Sequence, residues 1–352
     1  LDEAGIGSIT VSGFGTLENT RTEYFVQAPE SFVDILFVVD NSGSMKGEQE
    51  SLVKGFEGFV AQAQTWEVKY QIGVVTTDQE QDQGWLQGIP PYVTNLNPTP
   101  FKTTAMVGTD GSGTEQGLVT SWLALQPNML AGNGKACASN WQCDQNSAFS
   151  QCVLGQCGGP NRGFLRNNST LAIIWISDEN DQSSGPVSGY VNFFKQLKGE
   201  DKVKGYAIVG DPPSANNPSG GCKGDDFQQG SGAFGGGKGT KAKNGDRYVD
   251  AATMLGGFWF SVCDFGKEGT DQPPLLEQIG KDAFKPVNVF PLSEEPNPGS
   301  VVITVNDDLC EEGWTYDSEA QSVIFEIESP CFPGPSAKVT ILYDPICYPI
   351  EK

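Results

Sequence analysis

Asp40, Ser42 and Ser44 are three small oxygen-bearing side chains spaced two apart, and a second carboxylate, Asp178, closes an apolar run further along the chain. Carboxylate and hydroxyl oxygens on tight loops suit a hard cation such as Mg2+, or alternatively Ca2+ or Mn2+. Two carboxylates and a few neutral hydroxyls leave such a dication partly uncompensated. They also leave it short of a full oxygen shell, so an acidic group from a partner can replace a bound water. The competing reading of Ser42 and Ser44 is an amino-terminal helix cap, because a helical pattern follows them.

These residues have to be positioned by the elements before them. Residues 33–39 are short, apolar and β-branched, as expected of a strand buried on both faces, and residues 171–177 repeat the pattern. Asp40 and Asp178 stand at the carboxyl ends of these two runs, where open α/β sheets place their ligands. Helical periodicity covers 45–63, 114–125, 187–197, 247–255 and 273–284. Strand patterns cover 66–76, 203–209 and 257–262, with a short third strand expected at 84–86 before a proline-punctuated loop. Alternating strands and helices predict an α/β fold with a doubly wound, mostly parallel, Rossmann-type sheet over residues 32–285.

Two insertions interrupt that unit. Residues 131–167 hold Cys137, Cys143, Cys152 and Cys157 with little apolar content, so disulfides must supply their order. Residues 211–246 are rich in Gly, Pro, Asn and Lys and read as a long loop. The first insertion precedes a strand and therefore leaves the sheet's amino end. The second follows a strand and emerges on the Asp40 face, as does Cys263, so Cys222 and Cys263 form a candidate disulfide pair. Residues 286–352 contain only short strands and predict a small C-terminal β-sandwich, which strands within 1–31 could complete. There Cys310 and Cys331 are expected to pair, leaving Cys347 alone, with Cys310–Cys347 as the alternative.

Composition closes several routes. The chain has 352 residues, 22 Lys and Arg against 44 Asp and Glu, and a formal net charge of −22. Nucleic acid and anionic membrane surfaces are disfavoured as direct partners. There is no histidine, which removes Ser-His-Asp and Cys-His catalysis and imidazole-based zinc sites. An enzyme is not expected; a hydrolase using Asp40 as nucleophile would want a carboxylate where Ser42 stands. The nine cysteines include no Cys-x-x-Cys and point to disulfides in an oxidising compartment. No transmembrane run is present. Leu1 does not begin a secretion signal, and such a signal, with any lipid anchor, is expected to have been removed.

Other motifs are weaker. Gly232 to Lys238 nearly spells a phosphate-binding loop but has Gly239 where Ser or Thr is needed. Asn167 and Asn168 fit glycosylation sequons. Glu179, Asp181, Asp307 and Asp308 read as solvated or turn residues.

The phrase DILFVVDNSGSM, with LAIIWISDE and GTDGSGTEQGL, resembles von Willebrand factor A and integrin I-like domains with a metal-ion-dependent adhesion site. The resemblance covers residues 31 to 284. It implies a cation held by Asp40, Ser42, Ser44 and Asp178, with a second-loop hydroxyl normally contributed by Thr. Ser112, five residues before Gly117, takes that place, and Thr109 is the alternative. The implied function is extracellular, cation-dependent adhesion in which a partner's carboxylate completes the metal shell. The phrases YQIGVVTTD and PLLEQIG further resemble bacterial surface lipoproteins that include a gliding-motility adhesin, implying an outer-membrane or secreted setting and a cell-envelope partner. The alternative is a structural envelope subunit whose metal only braces the loops.

Overall fold

The computed structural model describes residues 20–27, 31–222, 242–264, 275–326 and 329–346. The chain divides into two compact units: residues 32–285, and a smaller one drawn from 1–31 and 286–352. Strand β1 (Arg21–Val26) belongs to the smaller unit.

The larger unit opens with β2 (Phe32–Val39), α1 (Lys46–Thr65), β3 (Lys69–Thr76) and β4 (Tyr92–Thr94). Two short helices, α2 (Phe101–Thr104) and α4 (Pro127–Leu130), flank α3 (Gly117–Ala124). After the cysteine-rich insertion come β8 (Thr170–Ser177), α5 (Val187–Lys198), β9 (Val203–Val209), α6 (Asp246–Met254), β10 (Phe258–Ser261) and α7 (Leu275–Ala283). The sheet order is β10-β9-β8-β2-β3-β4, parallel except for β4 against β3. The chain reverses its direction of travel across the sheet between β2 and β8, whose ends lie side by side with Val39 opposite Ile176.

Alternation along β2 explains its continuous apolarity. Ile35, Phe37 and Val39 enter one buried layer with Leu52, Phe56 and Phe59 of α1, while Leu36 and Val38 enter the other with Leu118 and Trp175. Burial of this kind contributes about 25 cal/mol per Å2 of apolar surface removed from water. Helices α1 and α7 approach closely on the first layer. A side chain at Gly280 would meet the Phe59 carbonyl at 2.7 Å, so glycine is needed there.

The third strand is not at 84–86. The Leu86 N–H donates to Asn161 Oδ1 (2.8 Å) and Asn161 Nδ2 donates to the Gly84 carbonyl (2.8 Å). Asn161 thus satisfies the backbone that a strand neighbour would have taken, and the added strand is β4 instead. Similarly, the helix expected from residue 114 begins at Gly117, because the Thr114 N–H goes to Ser112 Oγ and the Gln116 N–H to the Thr77 carbonyl.

Within the insertion, β5 (Gly132–Ala136), β6 (Gln151–Val153) and β7 (Gln156–Gly158) form a small antiparallel sheet in the order β5-β7-β6. It is held by Cys137–Cys152 and Cys143–Cys157. Its last turn returns to the amino ends of β2 and β3, where the Arg166 guanidinium donates to the Val33 and Lys69 carbonyls. A third disulfide joins Cys222 to Cys263.

The smaller unit has two antiparallel sheets sharing one core. β1, β16 (Lys338–Tyr343), β12 (Val302–Val305) and β13 (Asp308–Cys310) make one; β11 (Val289–Pro291), β15 (Ser322–Phe325) and β14 (Trp314–Asp317) make the other. Phe25 meets Phe290 edge to face at 5.3 Å, and Phe290 meets Phe325 in the same way. Cys310 pairs with Cys331. Cys347, residues 1–19, Pro273 and the segment 232–239 lie outside the described residues.

Candidate metal centre

The carboxyl ends of β2, β3 and β8 feed three loops, and hydrogen bonds bring them together. The Asp40 N–H donates to the Ile176 carbonyl (3.0 Å), locking the end of β2 to β8. The Gly111 N–H donates to the Asn41 carbonyl (2.9 Å) and draws in the second loop. Gln49 staples the same two loops. Its Nε2 donates to the carbonyls of Asp40 (3.0 Å) and Gly108 (2.7 Å), and its Oε1 accepts the Gly108 N–H (3.2 Å). Gln49 was legible only as a polar residue on the apolar stripe of α1, where it is fully buried.

Asp40 is fully buried. Its Oδ1 accepts the Ser42 N–H (2.7 Å) and its Oδ2 the Ser177 hydroxyl (2.6 Å). Ser42 Oγ and Ser44 Oγ lie 3.4 Å apart, and Ser44 hydrogen-bonds Asp178. Asp178 is 4% exposed, and its Oδ1 has no partner among the described residues. Four of the expected residues, Asp40, Ser42, Ser44 and Asp178, therefore share one pocket of chain ends. Ser112 is tied to other partners: its N–H donates to Asp78 Oδ2 (3.0 Å) and its hydroxyl accepts the Thr114 N–H (3.0 Å), which leaves the hydroxyl one lone pair and its own proton.

Glu115 occupies the interior instead. It is fully buried, accepts the Thr77 hydroxyl on Oε2, and lies within hydrogen-bonding reach of Asp40. Its Oε1 has no partner among the described residues. Asp181 is another departure from expectation. It is buried, takes Arg247 Nε at 2.9 Å, and caps α3 by accepting the Leu118 N–H (3.0 Å). It is neither solvated nor part of the acid group.

The electrostatics are those of anions held together out of water. Burial pushes Glu115 up to about 8, with the Asp40 charge adding to it. Burial pushes Asp178 up to about 6 against the Ser44 hydrogen bond, with Asp40 and Glu179 adding to it. Glu48, in the first turn of α1, is pushed up to about 7 by burial and then by Asp178 and Asp40. Asp40 is raised by burial, opposed by Ser177 and Ser42. The neighbouring cation, Lys243, is mostly exposed and pairs with Glu179 at 2.8 Å, while its N–H donates to the Asp178 carbonyl (2.7 Å).

The chain is similar to von Willebrand A and adhesin structures. A von Willebrand factor type A protein from Catenulispora acidiphila matches 99% of this chain and 67% of its own, at 8% identity and a TM-score of 0.38. The pilus adhesin SpaC from Lactobacillus rhamnosus GG, in its open conformation, matches 96% of this chain at 11% identity and a TM-score of 0.36. Proximal thread matrix protein 1 from the mussel byssus matches 77% at 14% identity and a TM-score of 0.34. This chain spans 42% of the adhesin's length and 51% of the byssus protein's. No family model and no curated protein matches.

The donor set suits a hard cation. All its atoms are oxygens, and unpartnered buried carboxylate oxygens are costly unless something positive faces them. Among the described residues no three carboxylates bring an oxygen each within 4.8 Å of one another. An ion here would use waters for part of its shell, the habit of Mg2+. Among the described residues no helix is long and apolar enough to cross a membrane.

Proposed function

We propose that this chain is an extracellular, cation-dependent binding module of the adhesion type. Asp40, Ser42, Ser44 and Asp178 would hold a divalent cation, Mg2+ with Ca2+ or Mn2+ as alternatives, together with an oxygen from the second loop. When bound, the cation supplies an open position for a carboxylate of a protein or surface partner. Four disulfides fit an oxidising, extracellular setting. The sequence resemblance extends the proposal to a bacterial cell surface, with a lipid anchor or an envelope partner.

One observation carries this reading. Asp34 and Asp181 are buried carboxylates with an Arg on each, whereas Asp40 and Asp178 are buried carboxylates bonded only by hydroxyls and backbone N–H groups among other acids, the neighbouring Lys243 being exposed and paired with Glu179 instead. The chain's own residues form the frame: Gln49 and Asn41 fix the loops, and Ser177 orients Asp40. Because the loops are already tied by direct hydrogen bonds, a cation that only braced them would be redundant, which disfavours the structural alternative.

The test uses carboxylate-coated and amine-coated latex beads with protein in Mg2+ or Ca2+. Retention on carboxylate beads alone, lost in EDTA and in Asp40→Ala, is the expected result. Undiminished retention of Asp40→Ala in EDTA would refute the reading. Cation-dependent stabilisation without bead retention would favour the bracing role.

A further inference from the structure

Residues 242–247 run beside the third loop, after β8, as a strap that holds it at successive points. The Lys243 N–H donates to the Asp178 carbonyl (2.7 Å), and Lys243 Nζ pairs with Glu179 (2.8 Å). The Arg247 N–H donates to Asn180 Oδ1 (3.2 Å), and Arg247 Nε reaches Asp181 Oδ2 (2.9 Å). Residues 178, 179, 180 and 181 are thus each held by Lys243 or Arg247.

The strap is itself held from behind. The Gly245 N–H donates to the Gly210 carbonyl (2.9 Å) just past β9, and the Ala242 carbonyl accepts the Cys222 N–H (3.1 Å). The approach of the two backbones is close enough to need glycine. Gly221 has a φ of +70°, and a side chain there would collide with the Ala242 carbonyl. Cys222 anchors this run of contacts, because it is bonded to Cys263 in the turn that follows β10. Both cysteines pack against the buried layer that also holds Ala242 and Val262. The first and second loops do not use the strap. Asp40 is tied to Ile176, and Gly111 to Asn41, by direct backbone bonds.

We infer that the Cys222–Cys263 disulfide is a positioning element for Asp178: it holds the strap that holds the third loop, and leaves the Asp40 loop untouched. The inference takes the role of Asp178 from the cation-binding reading above and adds how that residue is kept in place. The two halves of the site then have separate anchors. The Asp40 half is fixed by the sheet. The Asp178 half depends on a covalent tie between residues 41 apart in sequence, and loss of a cross-link gives back the freedom it had removed. Without the tie the strap opens locally while the rest of the unit stays closed.

Hydrogen exchange on the full chain in EDTA tests the positioning with no metal present. In the Cys222→Ser/Cys263→Ser double variant, the Lys243 and Gly245 amides are expected to exchange at least tenfold faster than in the parent, while those of Asp40 and Gly111 stay within twofold. Unchanged exchange at Lys243 overturns the inference. So does an equal rise at all four amides, which marks a bridge that only stabilises the fold. If the double variant does not fold, Gly221→Ala replaces it with the same expectations, since it presses on the Ala242 carbonyl with the disulfide in place. Calorimetry with Ca2+ alone then reads the link to the site. The variant with the freed strap is expected to bind Ca2+ at least fivefold more weakly than the parent, and a smaller loss overturns the inference. If the parent binds no Ca2+, the cation reading falls, and the exchange result alone decides the positioning.

Discussion

Strand β2 carries a buried aspartate near each end, and the two are treated in opposite ways. Asp34, at the amino end, takes Arg166 Nε at 2.7 Å, the Arg166 N–H at 2.6 Å and the Ser169 hydroxyl at 2.5 Å. Asp40, at the carboxyl end, has Ser177, the Ser42 N–H and then Glu115, with no Lys or Arg on it. Both carboxylates are fully buried. At one end the polypeptide supplies the positive charge from its own insertion; at the other it supplies more negative charge. The strand's amino end thus neutralises its buried carboxylate from within the chain, whereas the carboxylate just past its carboxyl end is left in the company of acids, which is the contrast the proposed cation would answer.

The comparison can be broken most directly at the compensated end. Arg166→Ala would strip Asp34 of its guanidinium and leave the Ser169 hydroxyl and one N–H. Stability should fall by about 3–5 kcal/mol, the cost of orphaning one member of a buried pair. Urea unfolding measures this, and a loss below about 1 kcal/mol would mean that Asp34 is not held as described.

The open end should respond to ions instead. At a hundredfold excess over its Kd, a divalent cation should add about 2.7 kcal/mol to unfolding stability. Thermal unfolding with Ca2+, Mg2+ or EDTA reads it, and Asp40→Asn should abolish the gain. In EDTA, Asp40→Asn should cost no more than about 1 kcal/mol, since it removes an uncompensated charge and keeps an acceptor for Ser42. A large loss in EDTA would place Asp40 in the same class as Asp34.

The smallest effects are pH slopes of opposite sign. In EDTA, Glu115, Glu48 and Asp178 have folded values near 8, 7 and 6, above their ordinary carboxylate values. The folded chain then binds more protons, so their contribution to stability is full below about pH 4.5 and is lost as the pH rises through 6 to 8. Lys198, beside Asp34, is lowered to about 8 by burial. Its unfolded form holds the extra proton, so stability at that end rises between about pH 8 and 10.5. Lys198→Met should flatten the alkaline slope, and saturating Ca2+ should flatten the acidic one. Unfolding midpoints across pH 5–10 would show whether the two slopes separate in this way.

What the sequence made legible follows from where each signal resides. Strands β2 and β8 announce themselves because burial on both faces demands unbroken apolar runs, and the loops after them follow from that topology. Cys222 and Cys263 could be paired because strand direction alone puts both on one face. Strand β4 could not be read, because Tyr92–Thr94 sit among prolines and become a strand only by pairing with Gln71–Gly73 of β3. Glu115 and Asp181 were illegible for the same kind of reason. An acid ahead of a helix, or in a polar turn, looks solvated until Thr77, Gln182 or Arg247 arrives from elsewhere in the chain to bury it.

The pairing of β1 with β16 has a consequence for biosynthesis. Arg21 lies opposite Tyr343 in that ladder, so one strand leaves the ribosome long before the other exists. At about 5–20 residues per second the wait is roughly 15 to 60 s. For that interval β1 is a lone ribbon with unsatisfied edges, exposed to proteases and to other nascent chains. The larger unit, whose strands are all encoded between the two, can mature first, and the small sandwich then forms only on polypeptides that have been read through to β16. A chaperone that occupies the Arg21–Val26 ribbon during synthesis or export would therefore act on every molecule, and a stalled translation product would be recognisable by that uncovered strand alone.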